Sequence, residues 1–377
     1  MKNIVIIGGG TGGTVVANRL ANRLYDQKDI SITLFAPEKN HIYQPDLLFL
    51  SLDLSDPRRM FRDEQKLLNK KVNLIQQPVD AINVDNKFVI SKGKKYAYDY
   101  LVIATGARLV PDLIPGLAGN NNHFYDYSSA MQLRDKLRGF KKGVIVTGVA
   151  DVPYKCPPAP LEFTLLLDYK LRKYGLRSSV DLTYIYPINS IFTIQNVVPI
   201  LQKEYDTRNI AYKTFFIVDH VDPEKHEVVA MDGETVKYDL LVLIPTHRGQ
   251  QIISDAGIGD EGGWMSVDKY TLQEKNHEEI YGIGDATNLP VSKAGSVAHF
   301  QSGVIANNIS NSVLGIDEKI NYDGSTMCMT EIGYDKGLIL LFDYSHPPYG
   351  LIPSRLNHLA KVFYLDYYFA NMMYGLP

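Results

Sequence analysis

Cysteine is nearly missing from this sequence. The 377 residues hold two, Cys156 and Cys328. Two thiols so far apart in the chain make neither a disulfide framework nor a zinc site. In a reducing compartment they are either inert buried thiols or a redox pair. Long apolar runs are missing too, and nothing approaches the roughly 18–20 residues of a membrane-spanning helix. The N-terminal "IVIIGGG" is too short for a secretory apolar region with its cleavage site. It reads as a buried strand entering a glycine turn, and an intracellular protein is expected. Positive charge is not in excess: the net charge is −3, which argues against nucleic acid as a partner. Tryptophan occurs once, as Trp264, against 25 tyrosines, a bias the sequence does not explain.

What is present describes a soluble globular protein. Hydrophobic residues make up 45% and charged residues 21%. The length exceeds one ordinary core and predicts two or three domains.

"KNIVIIGGGTGGTVVANRLANRL" reads as strand, glycine turn and helix. Gly8, Gly10 and Gly13 fit the spacing G-x-G-x-x-G. The first glycine permits the tight turn, the second lets a pyrophosphate approach the backbone, and the third lets helix and strand pack closely. The helix N-terminus would offer amide donors to that anion. In the helix, Val15, Val16, Leu20 and Leu24 recur at helical spacing. An acid usually follows the second strand to hold the adenosine ribose. In "SITLFAPEKN" the strand ends at Ala36, with Glu38 two residues on. Either Glu38 or backbone groups reach the ribose, or Glu38 is a solvated turn residue.

Two later motifs follow. "YDYLVIATGARLVPDLIPG" is a strand ending at Ala104-Thr105-Gly106, and "EEIYGIGDATNLP" is a strand ending at Gly284-Asp285. The carboxylate of Asp285 is placed to accept a bond from a ribitol hydroxyl. The glycine turn, A-T-G and G-D, in this order, resemble the two-dinucleotide-binding-domain flavoproteins, in which they bind FAD. That resemblance implies an α/β fold with two Rossmann-like dinucleotide-binding domains and a C-terminal segment. The FAD domain is expected at 1–110 and 240–310, the second domain at 111–239 and the C-terminal part at 311–377. "YAYDYLVIATGARL" and "VKYDLLVLIPTHRG" share Y-D-x-L-V, as two related domains would.

In the second domain, "KKGVIVTG" enters a turn reading "VADVPYKCPPAPLEF". Gly148 is the one glycine left. Pro153, Pro157, Pro158 and Pro160 have no amide hydrogens with which to cradle a pyrophosphate. Reduction by NAD(P)H is therefore disfavoured.

Here the resemblance narrows. "PYKCPPAPLEF", with Cys156 and Glu162, resembles the sulfide:quinone oxidoreductases and the related flavocytochrome c sulfide dehydrogenases. "STMCMTEIGYDKGLILLFDY" matches the family's second redox cysteine, here Cys328. "HIYQPDLL" matches the segment whose proline, here Pro45, lies near the flavin, and "LPVSKAGSVAHFQS" the one whose lysine, here Lys293, approaches the flavin. The resemblance implies that hydrosulfide attacks a disulfide or polysulfide bridge between Cys156 and Cys328. Cys328 would be the thiolate beside the flavin, and Cys156 would carry the growing sulfur chain. Glu162 is either the proton acceptor or an ordinary acid of a first helical turn. The family tends to carry a third cysteine where this chain has Tyr125. Its histidine has no counterpart in "SIFTIQNVVPI".

In "IPSRLNHLAKVFYLDYYFANMMYGLP", Leu356, Leu359, Phe363 and Tyr367 recur at helical spacing. Lys361, Phe363 and Tyr364 resemble the region that closes the family's quinone pocket. The segment is a quinone contact, a membrane-surface contact or a capping helix. "LFDYSHPPYGLIP" reads as a loop at the same mouth. The implied activity is oxidation of sulfide to sulfur or polysulfide with a membrane quinone as acceptor, by a peripheral protein on the cytoplasmic side of a membrane. Homo-oligomer formation is compatible with the sequence. The alternatives are the flavin subunit of a sulfide dehydrogenase, a type II NADH dehydrogenase, and a non-catalytic flavin-binding sulfur carrier.

Overall fold

The computed structural model describes residues 1–119, 122–349 and 352–375. Two parallel sheets organise it. The first runs in the order Gln273–Glu274, His277–Gly282, Tyr100–Ile103, Lys2–Ile7, Ile30–Phe35, Val72–Ile75. Its strands are parallel except the short Gln273–Glu274. The apolar run "IVII" is buried from both faces, as a central parallel strand requires. From the strand Lys2–Ile7 the chain leaves to one side, and later returns on the other as Tyr100–Ile103. That reversal opens a crevice at the carboxyl ends of the two strands, the usual ligand position in such sheets.

The second sheet is all parallel, in the order Ala211–Lys213, Val180–Ile185, Gly143–Val149, Leu240–Ile244. The strand Leu240–Ile244 pairs with Gly143–Val149, so the second unit runs past the expected limit at 239. The all-buried "LLVLI" satisfies its backbone there and not in the first sheet.

The repeated Y-D-x-L-V has a structural counterpart. Asp99 accepts a bond from the Asn3 amide (2.8 Å), and Asp239 accepts one from the Val144 amide (2.7 Å). Each aspartate thus fastens the entry of a strand to the first strand of its own sheet. The segments that follow, Ala107–Leu109 and His247–Gly249, pair antiparallel and tie the two units together.

The C-terminal part adds a hairpin, Thr326–Gly333 with Lys336–Phe342, and the helix Arg355–Ala370. The hairpin turns on Tyr334 and Asp335, both left-handed, and places Cys328 opposite Leu340. Along the helix, Leu365, Tyr368 and Phe369 pack with Met372 and Met373 against Val15, Tyr43 and Leu67. Each such buried side chain contributes roughly 2 kcal/mol, so this seat anchors the C-terminus on the first unit. The loop "LFDYSHPPYGLIP" contains Gly350 and Leu351, which lie outside the described residues.

Candidate active site

The glycine turn divides its three glycines between packing and access. A Cβ on Gly8 would lie 2.3 Å from the Ala104 carbonyl oxygen, and one on Gly13 would lie 1.9 Å from the Gly8 oxygen. Neither position admits a side chain. A Cβ on Gly10 would meet nothing within 4 Å, and Gly10 lines a cleft with about 1470 Å³ of empty space, open solvent included. The helix Thr11–Arg23 begins there with Gly10 as its cap, without a side-chain hydrogen bond. The first amides are left to a ligand.

A second helix, Gly295–Leu314, starts at the same cleft with Ala294 as an equally bare cap. Between them lie Gly106, left-handed and facing open space, and Gly284 with the half-buried Asp285. Burial raises the pKa of Asp285, against the opposing charges of Lys293 and Lys155. Lys293 donates to the Thr287 carbonyl at 2.7 Å and sits 3.7 Å over the Trp264 ring. Burial lowers it to about 8, with Asp285 and Asp260 opposing.

The proline-rich turn folds inward to the far end of this cleft. Lys155 bridges to Lys293 in a single β-type pairing, and the Cys156 amide donates to the Lys293 carbonyl at 2.6 Å. Cys156 is held left-handed, with φ at 48°. Gly148 serves a different need: a Cβ there would lie 2.2 Å from the Ile185 oxygen, so it lets adjacent strands approach. Both cysteines line the cleft as free thiols. Burial pushes each up to about 12. At Cys156 the charge of Glu162 adds to this and Lys361 opposes; at Cys328 the next cause is Cys156 itself.

Glu162 and Lys361, read from the sequence as an acid on one element and a polar contact on another, form a buried ion pair. Lys361 also donates to the Met329 carbonyl (2.8 Å), and Glu162 accepts the Glu331 amide (3.0 Å). Burial raises the pKa of Glu162 and Lys361 opposes that shift. Glu162 is therefore not a solvated first-turn acid. Pro45 and Tyr364 line the same cleft.

Three sequence-derived positions stand apart. Glu38 is exposed and outside the cleft wall. The chain turns outward after Ala36, and the buried acid beside the glycine turn is Glu64, which accepts from Thr14 (2.6 Å) and pairs with His41 (3.0 Å). Phe363 is 64% exposed, because the helix turns it away from the side that presents Tyr364. Thr105 keeps its hydroxyl buried without a protein partner and does not line the cleft, although its neighbours Ala104 and Gly106 do.

Lys155, Tyr125, Glu331 and His358 were not assigned from sequence. Tyr125 lines the cleft and donates to the Lys155 carbonyl at 2.7 Å. Lys155 had one signal, its adjacency to Cys156. Glu331 and His358 had none, since 27 positions separate them and only the fold joins them.

The pattern described as Pyridine nucleotide-disulphide oxidoreductase matches residues 2–304. The chain belongs to the pyridine nucleotide-disulphide oxidoreductase family. The chain is 28% identical to a mitochondrial sulfide:quinone oxidoreductase of Mus musculus, over 98% of this chain and 86% of that one. It is 27% identical to a sulfide-quinone reductase of Aquifex aeolicus, over 98% and 88%. The crystal structure of the Aquifex aeolicus sulfide:quinone oxidoreductase superposes with a TM-score of 0.89 at 24% identity, covering 100% of this chain and 92% of that one. The resemblance drawn from the motifs, the two Rossmann-like units and the character of an FAD-dependent enzyme are borne out.

The cleft fits FAD. Two bare helix N-termini suit its anionic groups, open Gly10 and Gly106 admit backbone approach, and Asp285 offers an acceptor for a hydroxyl. The residues that would hold it are Gly10, Thr11, Gly106, Asp285, Lys293 and Pro45.

Proposed function

We propose that this protein oxidises sulfide to sulfur or polysulfide and reduces a membrane quinone. The observation that carries the reading is the convergence of Cys156 and Cys328, the chain's two cysteines, on the cleft that fits the flavin. The proline turn adds to it, because its free backbone amides are too few for a nucleotide phosphate. The corresponding relatives of mouse and Aquifex carry the same activity in their names.

In the oxidised protein the two sulfurs are bridged. Hydrosulfide attacks the sulfur of Cys156, a new S–S bond forms there, and Cys328 leaves as a thiolate. Glu162 takes the proton of the incoming hydrosulfide, since burial favours its protonated form. The burial that raises Cys328 destabilises its thiolate, which makes it a strong electron donor in a dry site. FAD, held by Gly10, Thr11, Gly106, Asp285, Lys293 and Pro45, would supply two-electron redox chemistry beside these sulfurs. Lys361 and Tyr364 give the cleft a polar and an aromatic contact for a quinone ring.

The outer face of the last helix suits a lipid surface. Leu356 is 75% exposed, and Val362 and Phe363 project beside it. No helix among the described residues is long and apolar enough to cross a membrane. We assign the protein to the cytoplasmic side of a membrane, as a peripheral protein.

Anaerobic addition of sulfide to the purified flavoprotein tests the reading. Sulfide is expected to bleach the flavin at once, and a quinone analogue to restore its colour. Bleaching by NADH and not by sulfide overturns the proposal.

A further inference from the structure

Behind the cysteines lies a titratable pair that the chemistry above does not use. Glu331 is 3% exposed. One carboxylate oxygen bonds the Nδ1 of His358 at 2.9 Å, and the other is buried without a protein partner. Ionisable groups are seldom buried half-satisfied without a use. The groups around this carboxylate come from three elements. Its own strand turns Cys328 to the opposite face, the helix Ala159–Lys173 brings Glu162, and the C-terminal helix brings His358 and Lys361. The backbone amide of Glu331 is itself bonded to Glu162, and the charge of Glu331 adds to the burial that raises Glu162. His358 is half-buried and reaches solvent, one helical turn before Lys361. The cluster therefore joins the cleft-lining Glu162, bonded to the backbone amide of Glu331, to the Glu331 carboxylate and an imidazole that reaches the surface.

The proposed reaction consumes a proton from solvent. It balances as HS⁻ + quinone + H⁺ → S⁰ + quinol: two electrons leave the sulfur, and the quinone takes up two protons. Hydrosulfide supplies one of these, and the other comes from solvent. We propose that Glu331 and His358 form the port through which that second proton enters, acting through the Glu162–Lys361 pair. His358 exchanges with solvent on one side, and Glu331 carries the proton inward on its unpartnered oxygen. The inference rests on the sulfide:quinone reading of the site. Neither residue lines the cleft, so both are relay residues that do not contact substrate.

The test uses the FAD-loaded protein with sulfide and a soluble quinone analogue. Wild type, His358→Ala and Glu331→Gln are compared for FAD content, sulfide bleaching in a single turnover, and steady-state turnover against pH. His358→Ala is expected to keep its flavin and its bleaching amplitude. Its turnover should fall by about tenfold or more, within the range of a lost proton-transfer group. Imidazole in the buffer should restore it, which a merely structural role would not allow. Glu331→Gln should show the same loss without rescue, because its amide cannot relay. Turnover of His358→Ala equal to wild type at every pH, or a loss that imidazole leaves unchanged, overturns the port. Should Glu331→Gln fail to fold, the His358→Ala result decides alone. A wild-type protein that sulfide fails to bleach overturns the sulfide reading itself, and that outcome is read before any variant is compared.

Discussion

At the scale of single residues, the turn that carries Cys156 is built of prolines and has few amides to give a phosphate. A dinucleotide turn offers free amides. Here the amide of Cys156 is already spent on the Lys293 carbonyl, and four neighbouring positions have none to offer. Cys156→Ser and Cys328→Ser are each expected to retain FAD and to lose sulfide-dependent bleaching in rapid mixing. Unchanged turnover in either variant removes that cysteine from the chemistry. The buried thiols also predict an alkaline instability. Both have folded values near 12 against an ordinary value of 9.0, so between those limits the folded state holds protons that the unfolded chain releases. Stability is complete below pH 9.0 and should fall above it, by roughly 1.4 kcal/mol per pH unit for each thiol. Denaturant titrations of the reduced protein over that range should show a shallower fall in Cys328→Ser than in wild type.

Among the elements, the glycine-turn helix and the C-terminal helix depend on each other. Tyr368 joins Thr11 (2.7 Å) to the Nε2 of His41 (2.6 Å), while the Nδ1 of His41 faces Glu64 (3.0 Å) and the Gly9 carbonyl (3.0 Å). One buried chain of bonds thus fixes the phosphate-facing turn to the last helix. Tyr368→Phe leaves His41 and Thr11 without that partner and should cost about 1–3 kcal/mol in thermal or denaturant unfolding. It should also weaken FAD retention on dialysis, and a variant as stable as wild type with full flavin content would disprove the coupling. Gly13→Ala should do worse, since its new carbon would meet the Gly8 carbonyl. We expect little soluble flavoprotein from it, measured as the ratio of flavin to protein absorbance.

For the molecule as a whole, the exposed apolar face of the last helix is the surface proposed to meet lipid. Phe363→Glu and Val362→Glu put charge on exposed positions away from the cleft, so flavin content and sulfide bleaching should not change. Sedimentation with anionic lipid vesicles should drop for both, and equal sedimentation argues against the lipid contact. Much of this plan was legible beforehand. The glycine turn, the A-T-G and G-D strand ends and the two Y-D-x-L-V entries are local patterns, in which backbone geometry demands a residue type at a fixed spacing. Where Glu38 stands was not legible, because a turn residue's direction is not written in its neighbours; the chain bends outward after Ala36, and the buried acid beside the glycine turn is Glu64. The exposure of Phe363 was not legible either, because helical spacing defines a face and not what that face meets.

The sequence by itself determined which segments become strands and glycine turns, in what order, and that one of the two turns cannot take a phosphate. Those follow from short-range rules, steric at glycine and donor-counting at proline. Only the tertiary structure decided that Glu162 pairs with Lys361 and Glu331 with His358, and that both sulfurs face one cleft. Such meetings join residues that no spacing rule relates. They depend on how two sheets, a hairpin and a final helix bury their apolar faces together, and that packing is a property of the whole chain.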